Sequence, residues 1–151
     1  NTTMRVLALD VGRRRVGLAL SDTSGTLARP YKTLVVTDAT VLSQVTAEIE
    51  RLRADEDGLT TVVVGVPRRL DGTPSEQTAY VQAFVDSLRA AVTLEIATED
   101  ERLSSVEAES RLALRERDWK KRKAQLDAAA AAVILQDYLD RPATHGSHSL
   151  D

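Results

Sequence analysis

The chain has 151 residues, a formal net charge of −3, 42% hydrophobic and 28% charged residues, and no cysteine. This length suits one domain with one sizeable core, and the composition excludes a largely disordered chain. The lack of cysteine excludes disulfides and thiolate metal sites, and the lack of a secretory signal or of any apolar run near roughly 18 residues favours a cytoplasmic protein without a membrane span.

Three strands are predicted first. Residues 5–10 are predicted as a strand, and residues 6–9 within it form a continuous apolar run of the kind that fills central strands buried on both faces. Residues 12–15 are typical of a hairpin turn, residues 16–21 of a second strand, and a third strand lies within residues 28–36. The next segment has the apolar spacing of a helix behind a cap at Thr37 or Asp38, and residues 61–66 are strongly strand-like.

The second half alternates helices with one more strand. Residues 73–76 indicate a capping box with Pro74 at the first helical position, and the helix behind them should bury Val81, Phe84, Val85 and Leu88. Residues 92–96 alternate as a strand, a helix starts at Ser104, and residues 124–139 form a final helix after a basic loop. The order predicts an α/β fold with a mixed central sheet of five strands flanked by helices, as a single domain over residues 4–140 with a flexible tail at 141–151.

Three carboxylates are candidate metal ligands. Asp10 ends the first strand, where open α/β sheets bind ligands, although a turn aspartate that bonds its own backbone is an alternative. Glu101 closes an acidic run after another strand, where acids at a helix start are the alternative. Asp127 shares an apolar helix face with Ala131 and Ile134, and burial there is unfavourable unless a cation or a capping role compensates. Together they are hard oxygen ligands that suit Mg²⁺ or Mn²⁺ and phosphodiester hydrolysis.

Local basic clusters predict contacts with phosphates despite the acidic net charge. A solvated connector is the alternative for residues 117–123, and pairing with the acids at 99–101 is the alternative for residues 13–15. Trp119 is available to stack on an unpaired base. The candidate nucleic-acid-binding residues are Arg13, Arg14, Arg15, Arg68, Arg69, Arg102, Trp119, Lys120, Lys121, Arg122 and Lys123.

Four motifs, in order and spread over nearly the whole chain, resemble the YqgF/RuvX family of Holliday-junction-resolvase-like proteins, also described as pre-16S rRNA nucleases. They are Asp10-x-Gly12-x-x-Arg15-x-Gly17-x-Ala19, Val64-Gly65-Val66-Pro67 with Asp71-Gly72, Asp100-Glu101-Arg102-Leu103-Ser104-Ser105, and Asp127-Ala-Ala-Ala-Ala131 with Ile134-Leu135-Gln136.

The resemblance implies a ribonuclease-H-like fold and a divalent-metal-dependent endonuclease with Asp10, Glu101 and Asp127 as catalytic acids. Arg102 would contact a phosphate or support the fold. Related resolvases carry a second aspartate on the last helix where this chain has Ala130 and Ala131. A second metal would then be held weakly, with Asp100 or the substrate phosphate completing its shell.

The substrate remains open between branched DNA, as in Holliday-junction resolution, and structured RNA, as in processing of the pre-16S rRNA 5′ end. Junction cutting favours a homodimer, because two sites must face two strands. Two alternative functions remain. One is a nucleotide-binding enzyme, because the Asp-x-Gly start also resembles the phosphate loop of sugar kinases and heat-shock ATPases; those proteins need two such domains, and this chain has room for one. The other is a non-catalytic nucleic-acid-binding or transcription-linked factor.

Overall fold

The protein is a five-stranded mixed sheet with helices on both faces, here described in a computed structural model for residues 4–69, 71–100 and 119–141. Side chains of the last helix are described from Leu126 onward. The strands are β1 (Val6–Val11), β2 (Arg15–Ser21), β3 (Ala28–Val35), β4 (Thr61–Val66) and β5 (Glu95–Asp100). The helices are α1 (Val41–Ala54), α2 (Glu76–Ala91) and α3 (Trp119–Leu139).

The strand order is β3-β2-β1-β4-β5. The first three strands form an antiparallel meander, and β4 and β5 continue the sheet parallel to β1. This is the topology of the ribonuclease-H-like fold, which confirms the predicted fold class. None of the helices in the described parts of the chain is long and apolar enough to cross a membrane.

Two apolar layers cover the sheet, and successive side chains of β1 belong alternately to one layer and to the other. Leu7 and Leu9 belong to the larger core beneath α1 and α2, whereas Val6 and Ala8 pack with Ile134 on the α3 side. Because successive strand residues point to opposite faces, Asp10 lies on the α3 face at the carboxyl end of β1. The continuous apolar run of β1 is thus explained by burial on both faces.

The predicted helix starts were wrong by a few residues. Helix α1 begins at Val41 with Thr40 as its N-cap, while the predicted cap Asp38 accepts a hydrogen bond from the Tyr80 hydroxyl. Helix α2 has its capping box at Ser75 and Thr78, so Pro74 precedes the cap and does not open the helix. Ser75 has the extended conformation of a cap residue, and its side chain accepts a hydrogen bond from the Thr78 N–H.

The last strand and the last helix also differ from prediction. Strand β5 begins at Glu95, because Val92 is still the C-cap of α2, with its N–H bonded to the Leu88 carbonyl. Helix α3 starts at Trp119, five residues before the predicted start at 124, so residues 119–123 are helical and not part of a loop. Lysine, arginine and alanine are good helix formers, which accounts for the longer helix. The prediction that α2 buries its apolar stripe, including Val81 and Leu88, is confirmed.

Candidate metal and nucleic-acid site

Helix α3 crosses the start of β2 at Asp127, beside the strand position of Asp10. Asp10 is the antiparallel partner of Gly17. A Cβ atom placed on Gly17 would lie 2.0 Å from the backbone oxygen of Asp127 and 2.9 Å from the nitrogen of Ala128. The helix therefore rests directly on the glycine backbone, on the face that also carries Asp10.

Small residues on α3 allow this approach. Ala130 and Ala131 are almost completely buried, and Ala131 packs with Ala8 and Ala19 of the sheet. Larger side chains at these positions would hold the helix farther from the strands. The close packing of the alanine-rich helix brings the backbone of Asp127 up to the strands.

Asp127 is bound by an arginine from the sheet. The Nε atom of Arg15 donates a hydrogen bond of 2.6 Å to Oδ2 of Asp127, and the two side chains are 30% and 23% exposed. Arg15 and Gly17 are two residues apart on β2, so they share the α3 face. The Asp127 carboxylate therefore has a cation beside it.

A second ion pair joins the far end of α3 to the sheet. Glu99 is buried, and its Oε1 accepts a hydrogen bond of 3.0 Å from Nε of Arg141. Hydrogen bonding to Glu99 raises the pKa of Arg141. The prediction that arginines 13–15 pair with the acids at 99–101 was wrong for Glu99, since Arg141 takes that role and sequence reasoning had not singled it out.

Gln136 is the other contact that sequence reasoning missed. Its Oε1 accepts a 2.9 Å hydrogen bond from the Ala28 N–H, and its Nε2 donates a 3.0 Å bond to the Thr26 carbonyl. The side chain thus pairs with the backbone at the start of the edge strand β3. This contact fixes the position of α3 along the sheet, and its sequence signal was the Ile134-Leu135-Gln136 motif.

The predicted arginine cluster divides between two faces. Arg13 stacks on the Tyr80 ring with its guanidinium carbon 4.2 Å from the ring centroid, on the α2 side of the sheet. Arg13 and Arg14 line an open cavity of about 500 Å³ together with residues 35–38. Burial, and then the Asp38 carboxylate, raise the pKa of Tyr80. Of Arg13, Arg14 and Arg15, only Arg15 forms an ion pair with Asp127.

Two other predicted arginines, Arg68 and Arg69, lie in the loop after β4. Arg68 is half-buried in this loop. The guanidinium of Arg69 donates a 3.0 Å hydrogen bond to the Pro74 carbonyl, and its backbone N–H bonds to the Thr73 carbonyl. The loop that carries both arginines is therefore tied to the segment before α2. Gln77, in the first turn of α2, donates in turn to the Val11 carbonyl at the end of β1.

For several predicted residues, the structure describes either no position or only the backbone. Glu101 and Arg102 lie outside the described residues. Residues 119–123 form the first turns of α3, and nothing is described of their side chains. Among the described residues, no group of three histidine, cysteine or acidic side chains is close enough to hold a metal ion. The oxygen donors of Asp10 and Asp127 nevertheless suit a divalent cation, and Asp127 is already paired with a positive charge.

Comparison with known proteins decides the family. A family model described as "RuvX: Holliday junction resolvase" matches residues 4–141. The chain belongs to the RuvX family. A relative from Chloroflexus aurantiacus, named "Putative pre-16S rRNA nuclease", is 42% identical over 147 residues, which cover 96% of this chain and 94% of the relative. A relative of the same name from Anaeromyxobacter sp. (strain K) is 43% identical over 141 residues, covering 93% and 99%.

Among solved structures, RuvC of T. thermophilus in complex with a Holliday junction substrate is 15% identical with a TM-score of 0.48. The match covers 86% of this chain and 93% of RuvC. In this RuvX-family protein, the model match spans Asp10, Arg15, Gly17 and Asp127, the residues that meet at the crossing of α3 and β2.

Proposed function

We propose that this RuvX-family protein is a divalent-metal-dependent endonuclease that hydrolyses phosphodiester bonds in structured nucleic acid. The observation that carries the proposal is the convergence of Asp10 and Asp127 across Gly17, from opposite ends of the chain. Membership of the RuvX family and the nuclease names of its relatives support the same reaction. A cytoplasmic location and a nucleic-acid partner are parts of the proposal.

Asp10 and Asp127 would hold Mg²⁺ or Mn²⁺ together with Glu101, which directly follows the last residue of β5. When bound, a divalent ion supplies Lewis-acid activation of water and stabilisation of the leaving oxygen. Carboxylate oxygens are the ligands that both ions prefer. The buried alanines Ala130 and Ala131 contribute no oxygen from α3, so a second ion is held weakly and depends on Asp100 or on the substrate phosphate.

The basic residues position the substrate in this proposal. Arg13 and Arg14 would hold a phosphate beside their cavity, while Arg68, Arg69 and Arg102 would contact flanking phosphates. The start of α3 contributes the cations of residues 120–123 and Trp119, which would stack on an unpaired base. Phosphate contacts of this kind fix the position of the backbone relative to the carboxylates without reading sequence.

The substrate is tested with one side-by-side experiment. Cleavage of a four-way DNA junction and of a pre-16S rRNA 5′ fragment is measured with Mg²⁺ and with Mn²⁺, for the native chain and for Asp10→Asn. We expect cleavage of the RNA, the substrate named for the relatives, and its loss in Asp10→Asn with the circular dichroism spectrum unchanged. Cleavage that survives in Asp10→Asn contradicts the proposed site.

Two further outcomes of that experiment are decisive. Binding of both substrates without cleavage favours the non-catalytic binding factor. Cleavage of the junction at paired positions favours a resolvase, which should then be a homodimer, because two strands must be cut at once. A mass measurement in solution separates the monomer from the dimer.

A further inference from the structure

We propose that Arg15 is a built-in counter-ion that occupies Asp127 in the metal-free protein, and that metal binding releases it to contact the substrate phosphate. The inference rests on the proposed function, which makes Asp127 a metal ligand. It assigns Arg15 two roles: its guanidinium would pair with the Asp127 carboxylate before the metal binds and would contact the substrate phosphate afterwards.

The first argument is the geometry of the pair. Arg15 donates to Oδ2 of Asp127 over 2.6 Å, the short distance expected of a charge-assisted hydrogen bond. Asp127 is only 23% exposed, so without a partner its charge would be poorly hydrated. The arginine therefore stabilises the carboxylate in the state where no metal is present.

The second argument is that the two cations compete for one carboxylate. A divalent ion at Asp127 would lie within a few Å of the guanidinium, and like charges at such distances repel strongly in a partly buried site. The ion pair weakens as the metal binds. Arg15 cannot leave the site, because its backbone is held in β2 opposite Val35, and the freed side chain stays beside the carboxylates where a scissile phosphate must lie.

The third argument is the contrast with the neighbouring arginine. Arg13 carries the same charge on the same hairpin, but its guanidinium stacks on Tyr80 on the other side of the sheet. Its effect on a metal at Asp127 is limited to a long-range, solvent-screened repulsion. Arg13→Gln is therefore a matched control for the loss of one positive charge.

The test measures Mn²⁺ binding by isothermal titration calorimetry without nucleic acid, in the native chain, Arg15→Gln, Arg13→Gln and Asp127→Asn. We expect Arg15→Gln to bind Mn²⁺ roughly three- to tenfold more tightly, as an opposing ion pair of about 1 kcal/mol would allow, and Arg13→Gln to change affinity less than about twofold. In the double variant Arg15→Gln with Asp127→Asn, the gain should disappear.

Equal affinities for Arg15→Gln and Arg13→Gln overturn the counter-ion role while leaving the proposed ligands intact. An unchanged affinity in Asp127→Asn instead overturns the proposed metal site. If Arg15→Gln does not fold, Arg15→Met replaces it, since methionine removes the charge and keeps a long unbranched side chain. Tighter Mn²⁺ binding by Arg15→Met than by the native chain supports the inference, and unchanged or weaker binding overturns it.

Discussion

Replacing Gly17 with alanine should displace α3 from the sheet. The added Cβ would lie 2.0 Å from the Asp127 oxygen and 2.3 Å from its carbonyl carbon. Both are backbone atoms, so no change of rotamer relieves the clash. The helix or the strand must move by at least about 1 Å before the contact reaches the shortest separations found in proteins, because inserted methyl groups in packed interiors cannot be absorbed by compression.

The displacement has two measurable results. Overpacking of a well-packed interior costs about 1–3 kcal/mol, which should lower the urea midpoint of unfolding. A shift of about 1 Å between reacting groups lowers catalytic rates by roughly 100-fold, so nucleic-acid cleavage should fall by about that factor. Mn²⁺ affinity should fall as well, since Asp127 moves away from Asp10.

Val45→Ala provides the control. Val45 is fully buried in the core beneath α1, on the opposite side of the sheet from Asp127. Its truncation costs stability through a cavity but leaves the crossing of α3 and β2 unchanged. Native cleavage and Mn²⁺ binding by a folded Gly17→Ala protein would refute the reasoning, as would an equal loss of activity in Val45→Ala.

Three further changes have defined outcomes. Gln136→Ala should cost about 1–3 kcal/mol in urea unfolding, because the partly buried Ala28 N–H loses its acceptor. Burial opposes ionisation of Glu48, but hydrogen bonds from Lys32 and Arg51 outweigh it and lower its pKa. Glu48→Gln should therefore cost about 1 kcal/mol at pH 7, a difference that disappears as the pH falls below 4.5, through the lowered pKa. Neutralising the cations of residues 120–123 should weaken nucleic-acid binding and flatten its salt dependence.

Each of these has a contradicting result. Gln136→Glu keeps the acceptor and should retain part of the stability, so an equal loss in both variants would count against the Ala28 bond. A Glu48→Gln difference that persists unchanged at pH 3 would show that packing, not charge, is responsible. An unchanged salt slope after neutralisation of residues 120–123 would place the phosphate contacts elsewhere.

The fold was predictable because the strand and helix patterns of short segments agree with the arrangement of strands and helices in the whole domain. The apolar run of β1 and the valines of β4 identified the central strands, and the helical spacing of Val81 and Leu88 identified α2. The boundaries were less predictable where two residues of the same chemistry compete. Thr73 and Ser75 both carry a hydroxyl, and only the structure shows that Ser75 accepts the capping hydrogen bond from the Thr78 N–H.

The proposed ligands Asp10 and Asp127 were chosen from the sequence, whereas the contacts that position Asp127 were not predicted. Gly17 is part of a recognisable motif, but only the packing of α3 shows that a side chain there would strike Asp127. Arg15 and Arg141 each bind an acid that is distant in sequence, and no periodicity or spacing connects them. Such tertiary pairs depend on the crossing of helix and sheet, which local patterns do not encode.

The separation of the two halves of the site has a consequence for synthesis of the chain. Arg15 and Asp127 are 112 residues apart, and contacts between residues so distant in sequence slow folding. Until α3 has been translated, the sheet lacks the helix that covers its Ala8 and Ala19 face, and Arg15 lacks its partner carboxylate. In the proposed enzyme, a chain that ends before the last helix therefore carries Asp10 without Asp127 and should not cut nucleic acid.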